Sequence, residues 1–508
     1  MNVVIGIAIA AIVVVCSFGV EAIAVPRSSL NRPLAALALH VAALAMVAGG
    51  SLAVTGRAFF SCAVAVVLIA LLAVISNAKY ESLREPFVFT DLTLFGQAFS
   101  HPRLYLPFLS FGKVLAILAG VAAVTAGFLM ETPLALPGRC VAGLIAIGCV
   151  PLCLALSRRV SPTLQPFADQ SRLGFFAAFL AYLLNGLASK EKLAFARTVE
   201  VGPFSSGHPD THPDVIVIQS ESYFDARRLG DSILPGPYVH FDRVRREAFE
   251  HGRLTVPAWG ANTMRSEFAL LTGLPSAALG YARFYPYIYV RQACASLAGY
   301  FRRGGYRTAA IHPYYADFFG RSRAFRLMHF DRFLDIKDFA NADRVGPYVG
   351  DDAVADAIVT LLQERDDKPT FAFAITMENH GPLHMEPVAA GESASRHSLG
   401  DDPRWHELTA YLRHVENADD MLGKLTDYLR KRHRPAVLCF YGDHVPALSS
   451  VFDELGNEPT HSDYLIWRNF GGDLGDQRDV PVESLGFAIQ RAMMYEDRIG
   501  TELQQASA

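Results

Sequence analysis

Residues 212–225 read HPDVIVIQSESYFD. Val215, Ile216, Val217 and Ile218 form an apolar run without alternation, which suits a strand buried on both faces. The polar QSES that follows marks the edge to which such a strand delivers its side chains. Three later stretches share this grammar: YRTAAIHPYY (306–315), KPTFAFAITMENHGP (368–382) and RPAVLCFYGDHVP (434–446). Helical patterns separate them, over 351–364 and 413–432. Strands alternating with helices predict an α/β domain with a mostly parallel central sheet, its active residues gathered where the strands end.

Upstream the composition changes. The chain has 508 residues and is 51% hydrophobic, and the apolar excess sits in the first 157. About five stretches there are long and apolar enough to span a bilayer: 3–25, 34–54, 59–75, 115–130 and 141–156. The first lacks a basic flank and is followed by further spans, so it reads as an anchor and not as a cleaved leader. Residues 78–110 mix charges, Pro86 and aromatic side chains, as an element lying in the membrane interface does. Residues 158–212 form a connector whose run at 173–188 is expected as an interfacial amphipathic helix, with a sixth span as the alternative. With five spans, the loops carrying Arg27, Arg32, Lys79, Arg84 and Arg103 would face outward, against the positive-inside tendency; a sixth would remove the conflict. The expected organisation is therefore an all-α transmembrane bundle (1–157), the connector (158–212), an α/β catalytic domain outside the cytoplasm (213–495) and a tail (496–508).

A net charge of −4 and the lack of Lys/Arg runs argue against a nucleic-acid partner. Five of the seven cysteines lie in apolar helices; Cys294 and Cys439 alone lie beyond, and nothing requires them to pair. No span carries a charge away from its ends, which disfavours a transporter.

The strand ends carry the chemistry. Glu221 follows VIVIQS, Asp443 and His444 follow VLCFYG, His380 follows AITMEN and His312 follows TAAI. A single histidine after a strand is more often a cap or a surface group. Four strand ends rich in acid and imidazole are costly to assemble unless they hold an ion, and the ligand set suits Mn²⁺, Mg²⁺ or Zn²⁺. Thr263, in PAWGANTMRSEFALLTGLP (257–275), falls at the start of a short helical run, where amide groups favour an anion. By itself it reads equally well as an N-cap. Metal coordination would activate its hydroxyl as a nucleophile.

Glu221 in QSES, Thr263 in GANTMRSEF, the spacing His312-x8-Arg321 in HPYYADFFGR, ENHGP (378–382) and FYGDH (440–444) occur in an order that resembles the lipoteichoic acid synthase and phosphoglycerol transferase I group. That group belongs to the alkaline phosphatase/sulfatase superfamily. The resemblance covers residues 213–490, and the N-terminal region also looks like the group's architecture. It implies one divalent metal, manganese before magnesium or zinc, held by Glu221, Thr263, Asp443 and His444. It implies Thr263 as nucleophile, His312 and Arg321 on the transferred phosphate, and His380 as substrate contact and proton donor or base. Phe319 stands where the group usually has Trp, so that wall of the pocket differs. A sulfatase proper needs a Cys or Ser for formylglycine, which NTMRS does not supply, and an alkaline phosphatase needs more ligands for two metals.

The resemblance implies transfer of glycerophosphate from phosphatidylglycerol to a hydroxyl of an extracytoplasmic glycan or polyglycerophosphate, through a covalent Thr263 intermediate. Phosphoethanolamine transfer by the same mechanism is the alternative, though the soluble part of such enzymes is typically richer in disulfides. The expected location is the inner membrane, multi-pass, with the catalytic domain facing the periplasm. An alanine- and arginine-rich composition points to a Gram-negative source, where periplasmic glucan is the natural acceptor. A scaffold that kept the fold without the chemistry is disfavoured by the complete set of Glu221, Thr263, Asp443 and His444.

Overall fold

The structure, a computed structural model, describes residues 3–93, 111–364, 367–471 and 475–494. It divides into two compact units, Met1–Lys192 and Leu193–Ala508.

The first unit is all helix. α1 (Val3–Glu21), α2 (Leu34–Thr55), α3 (Ala58–Leu83), α4 (Phe111–Met130) and α5 (Leu136–Arg159) stand where the five apolar stretches are. Among the described residues, α2, α3 and α5 are long and apolar enough to cross a membrane; the shorter apolar segments Ala8–Glu21 and Leu118–Met130 lie in α1 and α4. Small residues let α2 and α5 approach closely. A Cβ on Gly49 would lie 3.0 Å from the Ala142 carbonyl oxygen, and one on Gly143 would lie 3.4 Å from Ala53 Cβ.

Two expectations for the interface differ from the structure. α6 (Pro166–Leu173) and α7 (Phe175–Gly186) follow α5, and Phe175 to Tyr182 of α7 are all buried. α7 is thus enclosed by its own unit and does not lie with one face open, as an interfacial amphipathic helix would. At 12 residues it reaches about 18 Å, too short for a sixth span. Residues 87–91 are likewise buried, with Lys79 Nζ 2.7 Å from Asp91 Oδ2. The rest of the expected interfacial segment, 94–110, and the tail 496–508 lie outside the described residues. The boundary between the units falls within α8 (Ser189–Glu200), inside the stretch read as a connector.

Among the described residues, the second unit is built on a nine-stranded sheet. Its strands are β1 (Asp214–Ser220), β2 (Glu250–Thr255), β3 (Arg307–Ile311), β4 (Arg332–Leu334), β7 (Thr370–Ile375), β8 (Ala436–Gly442), β9 (Ser462–Arg468), β10 (Asp476–Gln477) and β11 (Val480–Pro481). β5 (Arg344–Val345) and β6 (Tyr348–Val349) form a separate hairpin. The order is β10-β2-β9-β8-β1-β7-β3-β4, with β11 also on β2. β8, β1, β7, β3 and β4 run parallel, and β9 is antiparallel to both β8 and β2. Every residue of β1, β7 and β8 is buried, as expected for strands covered on both faces.

Helices α9 (Val239–Arg246), α11 (Asp351–Gln363) and α12 (His406–Arg430) pack on strands β9, β7 and β8, and α10 (Thr263–Thr272) packs among neighbouring helices. Leu408, Tyr411, Leu412, Val415, Leu422, Leu425 and Leu429 form the buried stripe of α12, spaced for one helical face. Register then places the site. Ser220 lies beside Gly442, Gln219 beside Ile375, and Ile311 beside Ala374. The next residues of β1, β8 and β3 are Glu221, Asp443 and His312, so they emerge at one edge. Cys294 and Cys439 are both buried and free.

Candidate active site

Glu221, Asp443 and His444 offer ligand atoms that all lie within 4.8 Å of one another, and all three residues are buried. The local chain holds them. Thr376, just beyond β7, accepts the Glu221 N–H at its hydroxyl (3.0 Å). Asp443 Oδ1 accepts the N–H groups of Ser222 and His444, each at 2.9 Å. Ser222 reaches this geometry in the left-handed region, φ 55°, and its hydroxyl donates to Glu221 Oε1 at 3.0 Å.

Among the described residues, the second carboxylate oxygen of Asp443 and Nε2 of His444 are buried with no hydrogen-bond partner. His444 Nδ1 lies 2.9 Å from the Val445 carbonyl oxygen, so the proton belongs on Nδ1 and the Nε2 lone pair faces the carboxylates, 3.4 Å from both Glu221 Oε1 and Asp443 Oδ2. Orphaned buried acceptors converging on one point are costly unless a cation fills it. The donor set therefore fits a divalent ion. Without one, burial and the Glu221 charge push the Asp443 carboxyl up. Burial lowers the His444 pKa, but the two carboxylates outweigh it and the net shift is upward.

Thr263 joins this cluster. The N-cap position of α10 belongs to Asn262, held at φ 69° with no side-chain cap bond. Thr263 is the first helical residue, and its hydroxyl points to Glu221 Oε2 at 3.5 Å instead of capping. Ser266 Oγ donates to the Asp443 carbonyl oxygen at 2.6 Å, pinning α10 to the end of β8.

His312 and Arg321 form a second pair. His312 Nδ1 donates to the Ile375 carbonyl oxygen (3.2 Å), leaving Nε2 to accept from Arg321 NH1 (3.1 Å). Burial and the adjacent guanidinium hold the His312 pKa well below the usual imidazole range. Arg321 is itself buried, with its Nε and NH2 forked onto the carboxylate of Glu267 at 2.9–3.2 Å. Tyr287 donates to that carboxylate at 2.5 Å. Phe319 lies with its ring centroid 5.2 Å from the Arg321 guanidinium carbon. Glu267 was not foreseen, although it sits one turn after Thr263 on the same helix face, a spacing that would have flagged it.

His380 is half-buried at the end of β7, with Nδ1 2.8 Å from the Gly381 carbonyl oxygen and 3.5 Å from the Tyr348 hydroxyl. Burial raises the Tyr348 pKa, and Tyr314, Glu221 and Glu386 raise it further. A second acid–imidazole group, His240, Asp419 and Asp420, has a plainer explanation. The Asp419 carboxylate accepts the N–H groups of His240 and Phe241 at 2.7 and 2.6 Å, capping α9, and Asp420 is exposed.

A mostly parallel sheet that brings two carboxylates, an imidazole and a threonine hydroxyl into one buried cluster defines the class: an α/β domain with a buried group of side chains able to hold a metal ion. The family model described as "Sulfatase" matches residues 213–479, and the chain belongs to that family. Two relatives come from Rhizobium meliloti. The capsular polysaccharide biosynthesis protein RkpI is 29% identical over 87% of this chain and 83% of its own length. A putative cyclic beta-1,2-glucan modification protein is 31% identical over 51% of this chain, which spans only 40% of that relative. Among solved structures, the integral membrane lipooligosaccharide phosphoethanolamine transferase A of Neisseria meningitidis is similar over 89% of this chain and 88% of its own, with 14% identity and a TM-score of 0.50. That likeness extends through the apolar helices and shows a shared fold.

Proposed function

We propose that the chain transfers glycerophosphate from phosphatidylglycerol to a hydroxyl of a glycan or polymer outside the cytoplasm, through a covalent adduct on Thr263. The observation that carries this reading is the Thr263 hydroxyl, turned away from its own helix and toward Glu221. A divalent ion held there by Glu221, Asp443 and His444 would lower the hydroxyl's pKa and so ready it for attack. Mn²⁺ is the ion we favour.

Thr263 Oγ1 has lost its proton to solvent before the cycle; it attacks as the alkoxide and, in the second half-reaction, departs as the same alkoxide. In the first half-reaction Thr263 Oγ1 bonds to phosphorus and the bond to the diacylglycerol oxygen breaks. His380 supplies the proton that this oxygen takes. In the second, the acceptor hydroxyl attacks phosphorus, gives its proton to His380, and Thr263 leaves. Arg321 binds the phosphate oxygens, and His312, whose Nε2 accepts from Arg321 NH1, holds that guanidinium at the phosphate pocket. Because Glu267 fixes the Arg321 fork, this cation is oriented before substrate arrives. Phe319 walls that pocket. The N-terminal helices would hold the domain at an inner membrane, on the periplasmic side, where a lipid donor is confined. Relatives named for a capsular polysaccharide and a cyclic glucan support a glycan acceptor.

Incubation of the full-length protein with labelled phosphatidylglycerol or phosphatidylethanolamine tests the donor. Diacylglycerol should be released from phosphatidylglycerol. Release from phosphatidylethanolamine alone would replace that donor.

A further inference from the structure

A buried charge with partners on both sides lies outside the cluster, on α12. The His414 side chain has no exposure, and its two ring nitrogens each face a carboxylate: Nδ1 lies 2.9 Å from Glu378 Oε1 and Nε2 2.9 Å from Glu386 Oε2. Donating at both nitrogens requires the imidazolium form. Asn417 Nδ2 donates to Glu378 at 2.5 Å, and Arg413 donates to Glu386 at 2.6 Å and to Glu392 at 2.8 Å. From α11, the Asp351 N–H donates to the other Glu378 oxygen at 2.7 Å.

Glu378 and Glu386 bracket the segment 379–385, which carries His380. Within it, His380, Gly381 and Pro382 are only half-buried. The carboxylates at its two ends repel each other unless a cation stands between them, and that cation belongs to α12. We propose that His414 is a positioning residue for His380: its doubly hydrogen-bonded ring ties both ends of the segment to α12 and so fixes where His380 meets substrate. The inference rests on the role given to His380 above.

The groups around His414 all bear on its charge. Burial disfavours the imidazolium, but the bonds to Glu378 and Glu386 outweigh it and the net pKa is raised. Arg413 and Asn417 share the same two carboxylates. Burial, then Glu378 and Glu221, pushes the Asp351 carboxyl well up. The clamp is complete while His414 is charged and both carboxylates are ionised, and it is released as pH rises through the raised His414 pKa.

The test uses the full-length chain in phosphatidylglycerol nanodiscs, as wild type, His414→Gln and Glu386→Gln. The last retains a folded reference should His414→Gln unfold. Hydrogen exchange of peptides covering 379–386 should be about tenfold faster in both variants. The kcat for diacylglycerol release should fall about tenfold or more, with KM for the lipid within about threefold of wild type. Wild-type kcat should decline on the alkaline side together with faster exchange in those peptides, and His414→Gln should lack that limb. Unchanged exchange, or faster exchange with unchanged kcat and pH profile, overturns the proposal. Turnover with phosphatidylethanolamine alone would replace the donor proposed above and leave the comparison of kcat intact. Absence of any turnover would defeat the role given to His380, and the proposal with it, whereas the exchange data would still report the clamp.

Discussion

Thr263 was equally readable as a cap until its partners were in place. In the structure the cap position belongs to Asn262, and the Thr263 hydroxyl faces Glu221. Thr263→Ala should lower lipid turnover by ~10³-fold or more, while Thr263→Ser keeps measurable activity, as rates of diacylglycerol release will show. Glu267 is the residue whose loss should be felt most beyond the cluster. Glu267→Gln leaves the Arg321 cation buried beside a neutral partner, which typically costs about 3–5 kcal/mol; calorimetry should record a lower Tm, and KM for the donor should rise. His312 gives a pH signature. Its folded pKa is depressed, so between that value and the unfolded value near ~6.5 the unfolded chain binds the extra proton. Stability should therefore fall as pH drops below ~6.5, by up to about 1.4 kcal/mol per pH unit for this one group. A shallower acid slope in His312→Gln, measured by thermal unfolding, is the expected outcome. Residues that end strands were legible because strand ends are marked by a change from apolar to polar. Glu267 and His414 act through side-chain partners 54 and 28–36 residues away, and such pairings leave no local mark in sequence.

The strands were the most legible elements. β1, β7 and β8 are buried on both faces, so their apolar runs are unbroken, and they fell where they were expected. The sheet strands β2, β4, β9, β10 and β11 were not foreseen: β2, β4, β10 and β11 are short or largely uncovered and their pattern is weak, while β9 is buried but its run Ser462–Arg468 opens and closes on polar residues. In the helical unit, composition located the five long helices but could not say what covers α7, because an apolar run of its length packs equally well against lipid or protein. Close helix packing yields a prediction of its own. Gly49→Val sets a side chain against the Ala142 backbone, 3.0 Å from a new Cβ, and overpacking of this kind costs about 1–3 kcal/mol. Detergent-solubilised protein should lose that much stability, whereas Gly50→Ala, with nothing within 4 Å of its Cβ, should be neutral.

As a whole molecule the chain joins a helical unit containing membrane-length helices to a sulfatase-family domain. A lipid donor gives that union a purpose, since substrate and enzyme are then confined to one surface. The proposed orientation puts Tyr315, which is 50% exposed, on the outer side. Tyr315→Cys should react with a membrane-impermeant maleimide in intact spheroplasts; labelling only after lysis would place the domain in the cytoplasm. The central claim is the group carried by Thr263. The most direct measurement is the intact mass of the peptide containing Thr263 after the protein is quenched during turnover of phosphatidylglycerol without acceptor. The account predicts added glycerophosphate on Thr263, lost on addition of acceptor glycan; an unmodified Thr263 while diacylglycerol is being released, or a phosphoethanolamine adduct formed from phosphatidylethanolamine alone, would contradict it.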